Sequence, residues 1–268
     1  MINLGIGIPF RRMGGGGAAN TARTQAFLTA TGITDATIIS ALNAMDNSLI
    51  SAGLLPSGTG AGKIKALYPF VGGTASTHKF NFVNPADTDA AFRLVFNGGF
   101  THSSSGCQPN GTNGWANTFL TPSIDFSGAY YESSYHDNLS SVYNGAQTNG
   151  FATQAFTYID TQDHRIFFST SGGAFNVGSG TNGFHQMQRN LTTDVIQLGT
   201  ARNTRGASLV LTVPNVLAIG GIRGDSATSD FNSILYKLRA YGSTFLTNGE
   251  LDKFNNLVVS FQTTLGRA

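Results

Sequence analysis

The side chains able to do chemistry are few, and their spacing limits what they can do. There are 14 carboxylates in 268 residues. A retaining glycosidase on a β-sandwich needs two of them on one strand face, two or four residues apart, aimed into a cleft. Asp87 and Asp89 have that spacing, but the segment NPADTD reads as a polar turn before a strand. Asp160 and Asp163 flank an expected hairpin turn. Asp225 and Asp230 sit in GDSATSD, which lacks the repeated acids of a strong calcium loop. Glu132 and Asp137 are the remaining pair to inspect for a groove. His78, His102, His136, His164 and His185 are scattered, and the pair weighed for chemistry is His136 with the adjacent Asp137. Adjacent strand residues point to opposite faces, so these two cannot form a relay there. No Gly-x-Ser-x-Gly elbow is present. GTGAGK at 58–63 fails as a phosphate loop, because Ser57 and Ile64 stand where glycine and Ser/Thr are needed. Cys107 is the only cysteine, which excludes an intrachain disulfide and reads as an inert thiol. The expectation is a protein that is not an enzyme, with no metal and no cofactor.

Binding chemistry is better represented. Residues 103–117 are rich in Ser, Gly and Asn and carry the only tryptophan, Trp115. An aromatic ring beside amides can stack on a sugar while the amides hold its hydroxyls. Trp115, Asn110, Asn113 and Asn117 are the candidate glycan-binding residues. The plainer reading is that Trp115 plugs the end of a sandwich core while the amides make local turns.

These residues need a scaffold, and the periodicity supplies one. Strands are expected near 64–71, 78–83, 90–97, 127–135, 154–160, 163–170, 194–200, 207–213, 216–223 and 232–241, bounded by Gly, Asn, Ser and Thr. Phe92, Leu94 and Phe96 alternate onto one face, as do Leu209, Leu211 and Val213, and Ile234, Tyr236, Leu238 and Ala240. Gln162-Asp163 suits a hairpin turn. Ten or so short strands with almost no helix between them mean a mainly β, antiparallel sandwich or jelly roll. A parallel βαβ architecture lacks its crossover helices.

Helices are expected at the two ends. Thr24–Thr31 makes two turns ending at Gly32, and Thr34 or Asp35 can cap the next helix. Ile38, Leu42, Met45 and Leu49 then recur at the spacing of a short coiled-coil seam, which fits either self-association or packing on the same domain. At the far end, Thr247 and Glu250 form a capping box. Leu251, Phe254, Leu257, Val258, Phe261 and Leu265 form one apolar stripe, expected to cover an edge or end of the sandwich. The resulting plan is a docking segment at 1–20, a helical stem at 21–55, a linker at 56–62, and a β-sandwich at 63–268 closed by a helix over 247–265. In the first segment, Ile6, Ile8 and Phe10 on the tether Gly14–Gly17 read either as a frayed terminus or as a docking peptide for a partner.

Charge narrows the class further. Charged residues are 11% and net charge is +2, so surface polarity comes from amides and hydroxyls. No basic cluster exceeds Arg11-Arg12, which argues against a nucleic-acid partner. No apolar run is long enough to span a membrane, and no secretory leader is read at the start.

Three segments carry a family resemblance. They are TGITDATIISALNAMDNSLISAGLL, then KIKALYPFVGGTASTHKFNFVNPADTDAAFRLVFNGGFTHSSSGCQPNGTNGWANTFLTPS, and the closing VSFQTTLGRA. Together they resemble a family of bacteriophage structural proteins from phages and prophages of Bacteroidetes-type hosts. The resemblance spans roughly 24–268 and is weakest over 136–230. It implies a helical stem leading into a concanavalin A-like, laminin-G-like sandwich displayed as a fibre, spike or decoration protein. It further implies attachment to capsid or tail proteins through the N-terminal segment, a trimer as in most fibres, and host-surface glycan as ligand. The location would be the virion, assembled in the host cytoplasm. It supplies no catalytic residues. A glycan-cleaving enzyme on the same fold, or a purely structural virion subunit, are the alternatives.

Overall fold

The structure is a computed structural model, describing residues 19–126, 128–137, 142–147, 154–159, 164–168, 182–206, 213–225 and 227–268. Ile6, Ile8 and Phe10, the turn at 162–163, and Leu209 and Leu211 lie outside the described residues. The described strands form two sheets. The first runs β12 (Ala201–Gly206), β11 (Thr193–Leu198), β10 (Gly183–Asn190), β6 (Ala129–Asp137), β16 (Leu235–Gly242), β4 (Gly106–Pro109), β3 (Phe100–Ser103), with β1 (Ile64–Tyr68) also on β16. The second runs β15 (Thr228–Ser229), β14 (Ile222–Arg223), β7 (Val142–Gln147), β13 (Ala218–Ile219), β5 (Trp115–Asn117), β2 (Val95–Asn97). From β7 it extends through β8 (Gln154–Ile159) to β9 (His164–Phe168). The pairing is antiparallel except between β14 and β7. This is the antiparallel β-sandwich that the alternation predicts.

A layer of helices covers the outer side of the first sheet. They are α1 (Ala22–Thr31), α2 (Ala36–Ser51) and α5 (Asn248–Thr264). Alternation along each strand of the first sheet divides its side chains between two cores. Tyr131, Phe184, Val195 and Leu238 join Leu42, Met45, Leu49, Phe254 and Phe261 under the helices. Tyr130, Met187, Ile196 and Tyr241 join Ala116, Leu217 and Ile219 between the sheets. Each large apolar side chain so buried contributes roughly 1.5–3 kcal/mol.

Local chemistry sets the helix ends. Asp35 accepts hydrogen bonds from the Thr37 and Ile38 amides at 2.8 and 2.9 Å. Gly32 ends α1 in the left-handed region at φ 69°. Thr247 and Glu250 form the expected reciprocal box. The stem reading needs correction, because Leu42, Met45 and Leu49 are buried in this chain's own core against α5, with Ile38 packed beside them. The seam is already filled by this chain's own side chains. Arg23 fixes this layer: it is buried, paired with Asp46, and donates to the Pro56 carbonyl at 2.9 Å, so the start of the expected linker is held in place. Helix α5 also lies across the sheet's face rather than its edge. The Gln186 amide donates to the Leu251 carbonyl at 2.9 Å, and the Phe184 and Phe254 rings meet edge-on at 5.4 Å.

Three strand expectations are corrected as well. Residues 78–83 form no strand, because beyond one backbone bond from the Phe82 amide to the Leu67 carbonyl the buried Asn81 side chain takes the ladder's place. Its oxygen accepts from the Leu67 and Val83 amides and its nitrogen donates to the Ala91 carbonyl. Over 90–97 only Val95–Asn97 is strand, since Phe92 adopts φ 58°. Along β16 the register shifts between Tyr236 and Leu238. That bulge at Lys237 turns Ile234 and Tyr236 toward the second sheet and Leu238 and Ala240 toward the helices, so the four do not share a face. The closing GRA has a structural role. Arg267 is buried and donates to the Phe70, Pro69 and Lys237 carbonyls at 2.8, 3.2 and 3.1 Å.

Candidate functional site

The segment 103–117, expected as loop, supplies two short strands, β4 and β5, and β3 runs into it. Phe96 is opposite Ala116 in the β2–β5 pair, and Ala116 is fully buried while Phe96 packs on the same core. Their neighbours must therefore point away from the sandwich. Asn97 stands opposite Trp115, and Val95 opposite Asn117, on the outer face of the second sheet. On β14 Ile222 is buried, so Arg223 also points outward. Its guanidinium carbon lies 5.2 Å from the centre of the Trp115 ring, within cation–π range. Trp115 thus does not plug the core. It stands partly exposed on the outer sheet face beside Asn97, Asn117 and Arg223.

A rigid turn supports this face. The Asn110 side-chain oxygen accepts from the amides of Thr112, Asn113 and Gly114, each at 3.0 Å. The Asn113 oxygen accepts from the Gly99 amide at 3.0 Å and from the Asn110 side-chain nitrogen at 2.8 Å. Gly98 has φ 66°, and a Cβ there would lie 2.0 Å from the Asn113 carbonyl oxygen, so only glycine fits. Of the four candidate sugar-binding residues, Asn110 and Asn113 are therefore committed to the turn, while Trp115 and Asn117 reach the open face. The Asn117 oxygen accepts from the Phe119 amide and the Asn97 nitrogen donates to the Val95 carbonyl. That leaves the Asn117 nitrogen, the Asn97 oxygen and the Trp115 indole N–H without a partner among the described residues. Asn97 and Arg223 were missed from sequence, since their place beside Trp115 depends on strand pairing.

The carboxylate pairs are disposed differently. Asp87 and Asp89 both bind Arg93 at 3.0 Å, and Asp87 also binds Lys79 at 2.5 Å. Those contacts hold the Asp87 carboxyl below its ordinary range. Glu132 and Asp137 leave β6 on opposite sides. Glu132 is buried between the sheets, accepting from the Tyr130 hydroxyl at 2.5 Å with Arg239 at 3.4 Å, whereas Asp137 pairs with Lys237. Asp225 accepts from the Asn215 side chain and Asp230 from the Ser229 hydroxyl. Among the described residues no three His, Cys, Asp or Glu side chains converge as metal ligands. His78 and His102 meet through their Nδ1 atoms at 3.0 Å beside Phe70, Phe96 and Phe100. Burial, then the nearby His102 and Arg267, push His78 down to about 3. Burial likewise pushes the Cys107 thiol up. Among the described residues, no helix is long and apolar enough to cross a membrane.

No protein-family model and no curated protein matches the chain. Solved structures do match in fold. A Trypanosoma rangeli sialidase mutant displaying trans-sialidase activity aligns at TM-score 0.52 and 14% identity over 83% of this chain. The sialidase in complex with sialic acid aligns at 0.51 and 14% over 84%. Its covalent intermediate with 2,3-difluorosialic acid aligns at 0.51 and 15% over 82%. In each case the chain spans 38% of the sialidase's length. At this identity the likeness establishes the β-sandwich. It also corrects the expectation that the chain is not an enzyme, which rested on residue spacing alone, because the solved structures that match it in fold are sialidases.

Proposed function

We propose that this chain recognises saccharides through the outer face of its second sheet. The resemblance to phage structural proteins supports a setting in which it does so as a displayed subunit of a virion. One observation carries the recognition reading: the single tryptophan stands on the outer strand face, flanked by Asn97, Asn117 and Arg223, with its indole N–H, the Asn117 nitrogen and the Asn97 oxygen uncommitted among the described residues. An indole face covers the apolar side of a sugar ring, and uncommitted amides replace the water around its hydroxyls. A purely packing role would have turned Trp115 inward, where Ala116 points instead.

A second reading, cleavage of the bound glycan, draws on the sialidase fold neighbours. Both are tested on one polysaccharide panel, by binding of the purified full chain and by release of reducing ends. The recognition reading expects saturable binding that Trp115→Ala removes while the melting temperature stays close to wild type. Binding unchanged by that substitution overturns it. Reducing ends released in step with the chain's concentration would establish cleavage. Mass spectrometry of purified particles tests the virion setting.

A further inference from the structure

We propose that the saccharide taken by this face is acidic, with Arg223 as the residue that selects its carboxylate. The inference rests on the saccharide-binding reading above and adds its chemical class. A neutral sugar needs only a ring to stack on and amides to hydrogen-bond. A guanidinium in the same patch is informative because of what surrounds it. The Arg223 side chain makes no ion pair or hydrogen bond with any described residue, and its guanidinium lies against the Trp115 ring. Its nearest acids in sequence are directed elsewhere, Asp225 to Asn215 at 2.6 Å and Asp230 to Ser229 at 2.7 Å.

The other arginines show how this chain treats a guanidinium that it needs for folding. Arg23 is paired with Asp46, Arg93 with Asp87 and Asp89, and Arg189 and Arg205 with Asp194. Arg202 is paired with Asp252 and Arg239 with Glu132. The buried Arg267 is the exception among them and is satisfied by backbone carbonyls. Among the described residues, the Arg223 side chain has neither kind of partner. Its planar fork of donors matches a carboxylate with two parallel hydrogen bonds, a match that a neutral hydroxyl cannot reproduce. Resting on the indole also holds the guanidinium beside the stacking surface, so less side-chain freedom is lost on binding. A sugar stacked on Trp115 with its carboxylate turned toward β14 would meet the Asn97 and Asn117 amides from the β2–β5 side.

The test uses the full chain and uronic-acid hexasaccharides, each paired with its carboxyl-reduced neutral counterpart. Hydrogen bonds to a charged group predict that wild type prefers the acidic member by about tenfold or more. Added salt should narrow the gap, because Arg223 is partly exposed to solvent. Arg223→Met should abolish the preference while leaving the weaker neutral binding and the melting temperature in place. Arg223→Lys should restore only part of it. Equal affinity of wild type for the two members, or a preference that survives Arg223→Met, overturns the acidic assignment and leaves the Trp115 site standing. Failure of wild type to bind either member of every pair overturns both readings.

Discussion

Two arginines in this molecule lie against aromatic rings at nearly the same distance, with opposite surroundings. Arg239 sits 5.1 Å from the Tyr241 ring and 5.8 Å from Tyr236, fully buried between the sheets. It donates to the Tyr241 hydroxyl at 2.8 Å and faces Glu132 at 3.4 Å. Arg223 sits 5.2 Å from Trp115 on the outer face, with no carboxylate paired to it among the described residues. The cation–π contact is common to both, so it does not separate structure from function. The counter-charge does. A charge taken out of water must be compensated within the fold, whereas an exposed one can be left for a ligand. The interior pair is therefore tied to stability and the outer pair to recognition.

The largest effect should come from Arg239→Met. It leaves Glu132 buried and uncompensated, and should cost about 3–5 kcal/mol in urea unfolding. Adding Glu132→Leu should recover most of that loss. A cost under about 1 kcal/mol for the single substitution would break the contrast between the two arginines.

Acid should weaken the interior next. The folded pKa of His78 lies at about 3, below its ordinary 6.5, so the unfolded chain binds the proton first as pH falls. Its neutral, buried form contributes stability that is fully present above pH 6.5 and is lost as pH drops toward 3. The slope from this group should reach at most about 1.4 kcal/mol per pH unit. The charged groups facing it are His102 and Arg267. His78→Phe should flatten that part of the profile, and an unchanged slope would remove His78 as its cause.

On the outer face, Trp115→Ala should change unfolding free energy by about 1 kcal/mol or less while removing saccharide binding. Arg223→Met should have the smallest effect on stability, within about 0.5 kcal/mol. A loss of several kcal/mol from either would make the outer pair structural and dissolve the comparison.

The two regions also differ in how legible they were. The helix ends could be read directly, because Asp35, Gly32, Thr247 and Glu250 act within one turn of their own positions. The sandwich class followed from alternation in segments such as Ile64–Tyr68 and Thr193–Leu198. What escaped depends on distant pairing. The bulge at Lys237 reversed half of an apolar stripe that looked continuous. Asn81 replaced a strand with a side chain. Strands β3 to β5 are only three or four residues long and sit among Gly, Ser and Asn, so nothing local separates them from loop. Trp115 and Asn117 were legible as candidates by type. Asn97 and Arg223 were not, since only the sheet brings them to the same face. The resemblance to phage proteins anticipated the sandwich class but did not locate this face.

Because Trp115 is the only tryptophan in the chain, its fluorescence reports on the proposed site alone. The most direct measurement is a titration of the full chain with the acidic hexasaccharides, following tryptophan emission and binding heat together. The account predicts a saturable emission change whose midpoint matches the calorimetric one. Binding heat with no change in emission would place the saccharide elsewhere and contradict it.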